Sequence, residues 1–462
     1  MATLTRETWT APRLQRGEAR RWFKATYGLR GTLWIVIYLF FILAPLFALL
    51  LGAWPPHRGF GTELSVAFGY AGLAMMGLQF GLTARFRFVT EPWGEDVIYH
   101  FHRQISLVAV ALVVAHPIIL FIVRPELIAL LNSFTAPWRA RFAALSTYSL
   151  IALVVMAIWR AKLKLSYEAW HVTHVVLALL AVGAGVLHMI GWSFYLQDPW
   201  KRGLWIGLTL FWIALLVYVR LIKPWFILRR PYRVREVRAE RGDSFTLVMQ
   251  PEGHPGMQFS PGQFAWLTVY GSPFKISAHP FSISSSAAAT DGSVELTIRK
   301  LGDFTNDIDR VPEGRRVFLD GPYGAFTMGD PSDVHVLIAG GVGITPMMSM
   351  LRTLADRGDK RPIVLLYGSR DWESVTFREE LESLKSRLAL TVVHVLSQPP
   401  EGWTGEKGYV DADLLRRHLP RPYVEHDYFI CGPDLMMDAV EKALGQMGVP
   451  IHKYHSERYS FV

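Results

Sequence analysis

The chain has 462 residues, 51% hydrophobic, 13% aromatic and 19% charged, with a formal net charge of +9 and a single cysteine, Cys431. That length admits two to four domains, and the lone cysteine excludes an intramolecular disulfide. Mean hydropathy is positive at +0.22, which points to a membrane protein with a soluble half, and no basic patch interleaved with aromatics suggests nucleic-acid binding.

A basic leader, residues 1–30, carries Arg6, Arg13, Arg16, Arg20, Arg21, Lys24 and Arg30 with no small-residue cleavage site, so the first apolar segment is a retained helix and not a signal peptide. Six uncharged apolar stretches follow at 31–51, 64–84, 104–123, 142–159, 169–197 and 203–219. Each is long enough, or nearly so, to cross about 30 Å of hydrocarbon as a helix. Basic residues crowd the leader, Arg85 and Arg87, Arg160, Lys162 and Lys164, and Arg220, Lys223, Arg229 and Arg230, whereas the opposite loops hold fewer. The positive-inside rule then places both termini in the cytoplasm. The net charge reads as topology and contact with anionic membrane lipid, and the expected location is a bacterial inner membrane.

Two histidine pairs lie in or at the edge of these stretches: His102 with His116, and His174 with His188. A separation of 14 residues returns to within about 40° of the same helix face, roughly 21 Å further along. The third and fifth of six up-and-down helices run the same way, so His102 faces His174 and His116 faces His188. A lone membrane histidine is more often a packing residue, but a neutral imidazole in hydrocarbon needs a partner, and two matched pairs suit two stacked haem irons. Small and apolar residues between the pairs, Ile105, Ala109 and Leu112 against Ala178, Ala181 and Gly185, would admit a flat macrocycle, although they also serve helix packing. His171 lies out of phase with His188 and His100 has no counterpart, so both read as polar contacts.

From 231 to 326 the pattern changes to short alternating runs separated by Gly, Pro and Asp, as at 244–250, 263–269 and 293–298, which predicts an antiparallel β-barrel. From 333 onward apolar runs at 334–339, 362–368, 390–396 and 428–431 alternate with helical stretches at 346–355 and 434–447, predicting a parallel α/β domain. The expected architecture is a multidomain membrane protein: leader 1–30, six-helix transmembrane bundle 31–230, barrel 231–327 and α/β domain 328–462. The turn Gly340-Gly341-Val342-Gly343-Ile344-Thr345-Pro346 follows a buried strand and opens a helix, the context in which glycines let backbone amides approach a pyrophosphate. Cys431-Gly432-Pro433 and Gly368-Ser369-Arg370 end later strands, where ligands of α/β folds sit. Arg370 is suited to an adenosine 2′-phosphate, favouring NADPH, while Asp371 could instead hold a ribose 2′-hydroxyl as in NADH enzymes.

With the histidine pairs and the glycine turn, His279-Pro280-Phe281-Ser282, Arg299, Gly302-Asp303-Phe304-Thr305, Gly321-Pro322-Tyr323-Gly324, Cys431-Gly432-Pro433 and Glu457-Arg458-Tyr459-Ser460-Phe461 make the chain resemble the ferric reductase and NADPH oxidase superfamily. The resemblance implies FAD, NADPH or NADH, and two b-type haems ligated by His102, His116, His174 and His188. It implies that His279, Pro280, Phe281 and Ser282 lie along the flavin, with the Ser282 hydroxyl at the redox-active ring nitrogen. It further implies Arg299 and Thr305 on the FAD pyrophosphate, Gly341, Gly343, Thr345, Pro346, Ser369, Arg370, Gly432 and Pro433 about the nucleotide, and Cys431 beside the nicotinamide. Tyr459 or Phe461 would cover the flavin, although Val462 follows both. Taken alone, Ser282 and Thr305 would be turn or strand hydroxyls and Cys431 a buried structural thiol. Electrons would reach a ferric complex or dioxygen, giving ferrous iron or superoxide; the stretch 31–51 lacks the basic residue that oxidases of this group often place near the outer haem. A relay subunit feeding a periplasmic partner protein and a haem-binding sensor are the other classes.

Overall fold

The computed structural model of the chain describes residues 16–52, 56–90, 93–132, 134–275, 277–328 and 334–458. Six long helices come first: α1 (Arg16–Ala48), α2 (Phe60–Leu82), α3 (Glu95–Val123), α4 (Trp138–Ile158), α5 (Tyr167–Trp192) and α6 (Pro199–Val217). Each contains a span long and apolar enough to cross a membrane. Exposed apolar side chains such as Phe40, Phe47, Ile122 and Leu210 give the bundle a belt suited to lipid. All six helices start ahead of their apolar runs, two of them by more than two turns: α1 begins inside the basic leader, and α3 begins at Glu95 rather than near residue 104. A helix propagates through polar residues once nucleated, and Glu95 and Asp96 in the first turn suit the positive end of the α3 dipole.

Helix α3 lies along α2, and α5 lies along α4, whereas α3 and α5 make scarcely any direct backbone contact. The two histidine-bearing helices thus face each other across a gap bridged by side chains. Beyond α6 the helical path continues to Leu228 and the first strand opens at Pro231, where the composition changes.

Six strands follow, β1 (Pro231–Glu240), β2 (Ser244–Pro251), β3 (Phe264–Thr268), β4 (His279–Ser282), β5 (Val294–Arg299) and β6 (Arg316–Tyr323), in the order β4-β3-β6-β1-β2-β5 with every neighbour antiparallel. An isolated bridge between Ile283 and Leu296 joins the two edges, so the sheet closes as the expected barrel and removes its open edges. Inward-facing Leu247, Met249, Leu267, Leu296 and Val317 fill it.

The α/β domain holds β7 (His335–Gly340), β8 (Ile363–Ser369), β9 (Leu390–Leu396), β10 (Glu406–Lys407), β11 (Asp427–Cys431) and β12 (Tyr454–Glu457), all parallel in the order β10-β9-β8-β7-β11-β12. Helices α7 (Ile344–Asp356) and α8 (Asp434–Gln446) follow β7 and β11. Strands β10 and β12 have no apolar run to announce them; both are edge strands recruited by pairing with β9 and β11. The strand order reverses between β7 and β11, and the crevice beyond the carboxyl ends of strands at such a point is where ligands of open α/β sheets bind.

Candidate functional site

The distal histidines, those farther from the barrel, are clasped from outside the gap. His116 Nδ1 lies 2.8 Å from the Ser65 carbonyl and 3.0 Å from the Ser65 hydroxyl, which also donates to the His116 carbonyl at 2.7 Å. His188 Nδ1 lies 2.9 Å from the Arg139 carbonyl. A carbonyl can only accept, so both rings carry their proton on Nδ1 and keep Nε2 as a lone-pair donor. The two ring centres are 6.4 Å apart. Gly69, one helical turn from Ser65, lies so close beneath His116 that a β-carbon there would sit 3.2 Å from the ring. Sequence reasoning missed Ser65, Gly69 and Arg139, because only the adjacency of α2 to α3 and of α4 to α5 reveals them.

The proximal pair, His102 and His174, is arranged differently. Both Nδ1 atoms are buried without a hydrogen-bond partner. Trp170 packs against His174 with ring centres 5.4 Å apart. His171 contacts Tyr167 and Trp170 instead and its Nδ1 makes no hydrogen bond, so it is held by rings rather than by the polar contact expected of it; His100 is exposed. The small residues between the pairs serve helix packing rather than an open face. Ala109 backs onto Gly72, Ala181 accepts a hydrogen bond from Ser146 at 2.7 Å, and Gly185 abuts Leu73 and Ser146. Among the described residues no three His, Cys, Asp or Glu side chains converge to hold a metal ion by themselves.

In the barrel, β4 places Pro280 opposite Trp266 and Ser282 opposite Phe264, with Ser282 buried. The His279 ring stacks on Phe304 at 4.1 Å, and Phe281 lies 6.0 Å from the same ring; burial holds His279 below the usual imidazole range. Thr305 is committed locally: its hydroxyl accepts from the Leu301 and Gly302 amides at 2.9 Å and donates to the Gly302 carbonyl. It therefore shapes the turn beside Arg299, as a turn hydroxyl would.

A cleft between the barrel and the α/β domain is lined by Arg299, Gly341, Val342, Ser369, Arg370 and Thr376, so the structure brings together residues from three separate motifs. The glycines divide the work. Gly341, at φ +54°, turns toward this cleft, and the Arg299 guanidinium is the neighbour nearest to where its β-carbon would lie. Gly343 instead permits contact between turns, since a β-carbon would lie 2.3 Å from the Cys431 carbonyl oxygen. Pro346 is buried in the first turn of α7, and the Thr345 hydroxyl caps the turn through the Val342 carbonyl at 2.8 Å. Arg370, 65% exposed on its side chain, donates to Asp371 at 2.9 Å, which holds the Asp371 carboxyl below its ordinary range. Cys431 is fully buried at the end of β11, its thiol donating to the Glu457 carbonyl at 3.5 Å; Gly432 packs on Gly340, and Pro433 caps α8. Tyr459 and Phe461 lie outside the described residues. Glu457, which opens the tail motif, is buried against Gly324, and burial together with the Asp96 and Glu95 carboxylates pushes its carboxyl well above the ordinary range.

Comparison with known families matches the chain in three successive blocks. Residues 68–185 match the ferric reductase like transmembrane component, residues 231–327 an FAD-binding domain, and residues 337–442 the oxidoreductase NAD-binding domain. The chain belongs to the ferric reductase and NADPH oxidase type of fusion protein. As such it is a multi-pass membrane protein with FAD- and NAD(P)H-binding domains. Among curated relatives, the glycine betaine monooxygenase reductase subunit of Pseudomonas aeruginosa is 32% identical over 210 residues, covering 44% of this chain and 56% of the relative. The ferredoxin reductase component of 3-ketosteroid-9-alpha-monooxygenase from Rhodococcus rhodochrous is 31% identical, covering 49% and 64%. This ferric reductase-type chain thus spans less than two thirds of the length of either. The flavohem-like FAD/NAD binding domain of nitric oxide dioxygenase from Vibrio cholerae aligns over 50% of the chain and 98% of its own length, at 24% identity and a TM-score of 0.44.

Proposed function

We propose that the chain carries electrons from NADPH, or NADH, through FAD and two b-type haems to an acceptor on the far side of a membrane, either a ferric complex or dioxygen. The observation that carries this reading is the distal histidine pair. Two imidazoles holding one metal ion through bonds of about 2 Å, each extended by about 1.1 Å to the ring centre, would lie about 6.2 Å apart, and the observed separation is 6.4 Å. The pair supplies two nitrogen donors, His116 and His188, which would hold a haem iron between them. The orphaned Nδ1 atoms of His102 and His174 fit the same use less tightly.

Bound FAD would accept a hydride and the haems would pass single electrons. The Ser65 and Arg139 carbonyls fix the tautomer and aim of the distal ligands. The N-terminus of helix α7 and the Arg299 guanidinium would hold the phosphates of the nucleotides. Cys431 and Ser282 are both buried at strand ends; Cys431 would lie beside the nicotinamide and Ser282 beside the flavin. Barrel contacts fall at the starts of α3 and α5 and beyond the ends of α2 and α6, the side where the basic residues gather, which supports cytoplasmic termini.

The names of the two relatives, a reductase subunit and a reductase component, favour a second reading, in which a periplasmic partner protein takes the electrons. NADPH consumption by purified, haem-loaded protein supplied with oxygen, ferric chelate or neither tests both. Turnover with either small acceptor supports the first reading; consumption only when a partner is added supports the second.

A further inference from the structure

The barrel touches the two histidine-bearing helices through two adjacent strands, one strand to each helix. From β3, the Trp266 indole N–H donates to Glu95 on the first turn of α3 at 3.2 Å. From β4, His279 lies against Tyr167 on the first turn of α5, ring centres 6.3 Å apart. Glu95 precedes His102 by seven residues, and Tyr167 precedes His174 by seven. Seven residues are about two turns, returning to within about 20° of the same face and rising about 10.5 Å. Each barrel contact therefore sits beneath a proximal ligand on the same helix face. Strands β3 and β4 are themselves paired, with Trp266 opposite Pro280 and Leu267 opposite His279, so both contacts are rigidly tied to the His279–Ser282 segment.

The α3 contact is locked by charge. The Arg85 guanidinium lies over the Trp266 ring at 3.4 Å and donates to the Tyr99 hydroxyl at 3.2 Å. Asp320, on β6 and opposite Trp266 in the sheet, pairs with Lys223 at 2.9 Å and with Arg85 at 3.7 Å. It also accepts from the Tyr323 hydroxyl at 2.6 Å, while Lys223 reaches Tyr323 at 2.8 Å. The two cations, Arg85 and Lys223, converge on the Asp320 carboxylate beside the Glu95–Trp266 contact, whose members are 2% and 5% exposed, and a buried charge that keeps its partners fixes one geometry.

We propose that Trp266 and Asp320 are positioning residues: the clasp they form with Glu95, Arg85 and Lys223 fixes the barrel on α3 and so sets the hand-off of electrons from the flavin segment to the proximal histidine site. The proposal rests on the functional reading above. A displacement of about 1 Å can cost about a hundredfold in a reaction that depends on placement. Trp266→Phe keeps the ring and removes the donor, Asp320→Asn removes the charge, and Glu95→Gln keeps an acceptor oxygen.

The test measures three things on full-length protein: flavin reduction by NADPH, electron delivery from reduced flavin to haem, and amide hydrogen exchange at residues 95–99 and 264–268. Trp266→Phe and Asp320→Asn should retain bound FAD and haem, leave flavin reduction unchanged, slow delivery by about tenfold to a hundredfold, and accelerate exchange at the junction. Glu95→Gln should stay near the parent. Unchanged delivery and exchange in both variants would overturn the proposal, as would slowed flavin reduction, which would place Trp266 at the flavin instead. Exchange is also read on haem-free protein, so a parent protein that binds no haem would sink the functional reading while the exchange result still decides the clasp.

Discussion

The membrane half and the nucleotide half hold their candidate sites by different means. In the bundle the sites are side chains: four histidines on two continuous helices, with the distal rings aimed by carbonyls of the neighbouring helices. In the α/β half the site is mostly backbone: turns at the ends of β7, β8 and β11, pressed together so closely that Gly343 touches the Cys431 carbonyl. A side-chain site is lost when one residue is lost. A backbone cradle survives most substitutions and is tuned by them, so the two halves should respond to mutation on different scales.

The largest effect should come from crowding the distal site. Gly69→Leu would place side-chain atoms where a β-carbon already lies 3.2 Å from His116, an overpacking that the ring can relieve only by leaving its clasp. The variant should lose the distal haem entirely, read as loss of part of the low-spin haem absorbance, with flavin reduction intact. Retention of all haem would mean that the ring can yield without cost.

Next is Cys431→Ala. If the thiol only packs, the change should mainly alter stability; if it aligns the nicotinamide, flavin reduction should slow by about a hundredfold while dithionite still reduces the haems. Stopped-flow absorbance of flavin and haem bands separates the cases, and unaltered flavin reduction would return Cys431 to a structural role.

Arg370→Ala should be milder. Its fork is exposed and already shared with Asp371, yet loss of a bidentate phosphate contact costs roughly 2–4 kcal/mol, or about 30-fold or more in the Michaelis constant for NADPH. The constant for NADH should barely move. Equal effects on both nucleotides would remove Arg370 from the 2′-phosphate and favour Asp371 as the ribose contact.

The smallest effect concerns Glu457. Its folded carboxyl is held well above the ordinary value of 4.5, so the ionised form is disfavoured in the folded state. Stability is then greatest below that ordinary value and falls as pH rises toward the folded value. Glu457→Gln should flatten that decline, seen as a smaller drop in thermal midpoint between about pH 5 and about pH 8. An identical slope in parent and variant would show that the buried carboxyl does not govern it.

Much of this was legible from the chain. His102, His116, His174 and His188 stand out because imidazoles are rare in apolar helices and their spacing is periodic, and the three turns stand out because glycine, proline and cysteine punctuate buried strands. Helical periodicity gives a face but not the neighbour across it, which is why Ala109, Ala181 and Gly185 could suggest a macrocycle yet pack against α2 and α4. The same limit hid Ser65, 51 residues from the ring it holds, and Trp266, whose partner Glu95 lies 171 residues away. Thr305 shows another limit: a hydroxyl in a motif can be spent on its own turn.

The most direct measurement is the count of low-spin haems, by optical and electron paramagnetic resonance spectra, in the parent protein and in His102→Leu, His116→Leu and His171→Leu. Each site that loses an axial ligand should lose its haem. The predicted result is two haems in the parent and in His171→Leu, and one in each of His102→Leu and His116→Leu. Two low-spin haems retained in both of those variants would contradict the assignment.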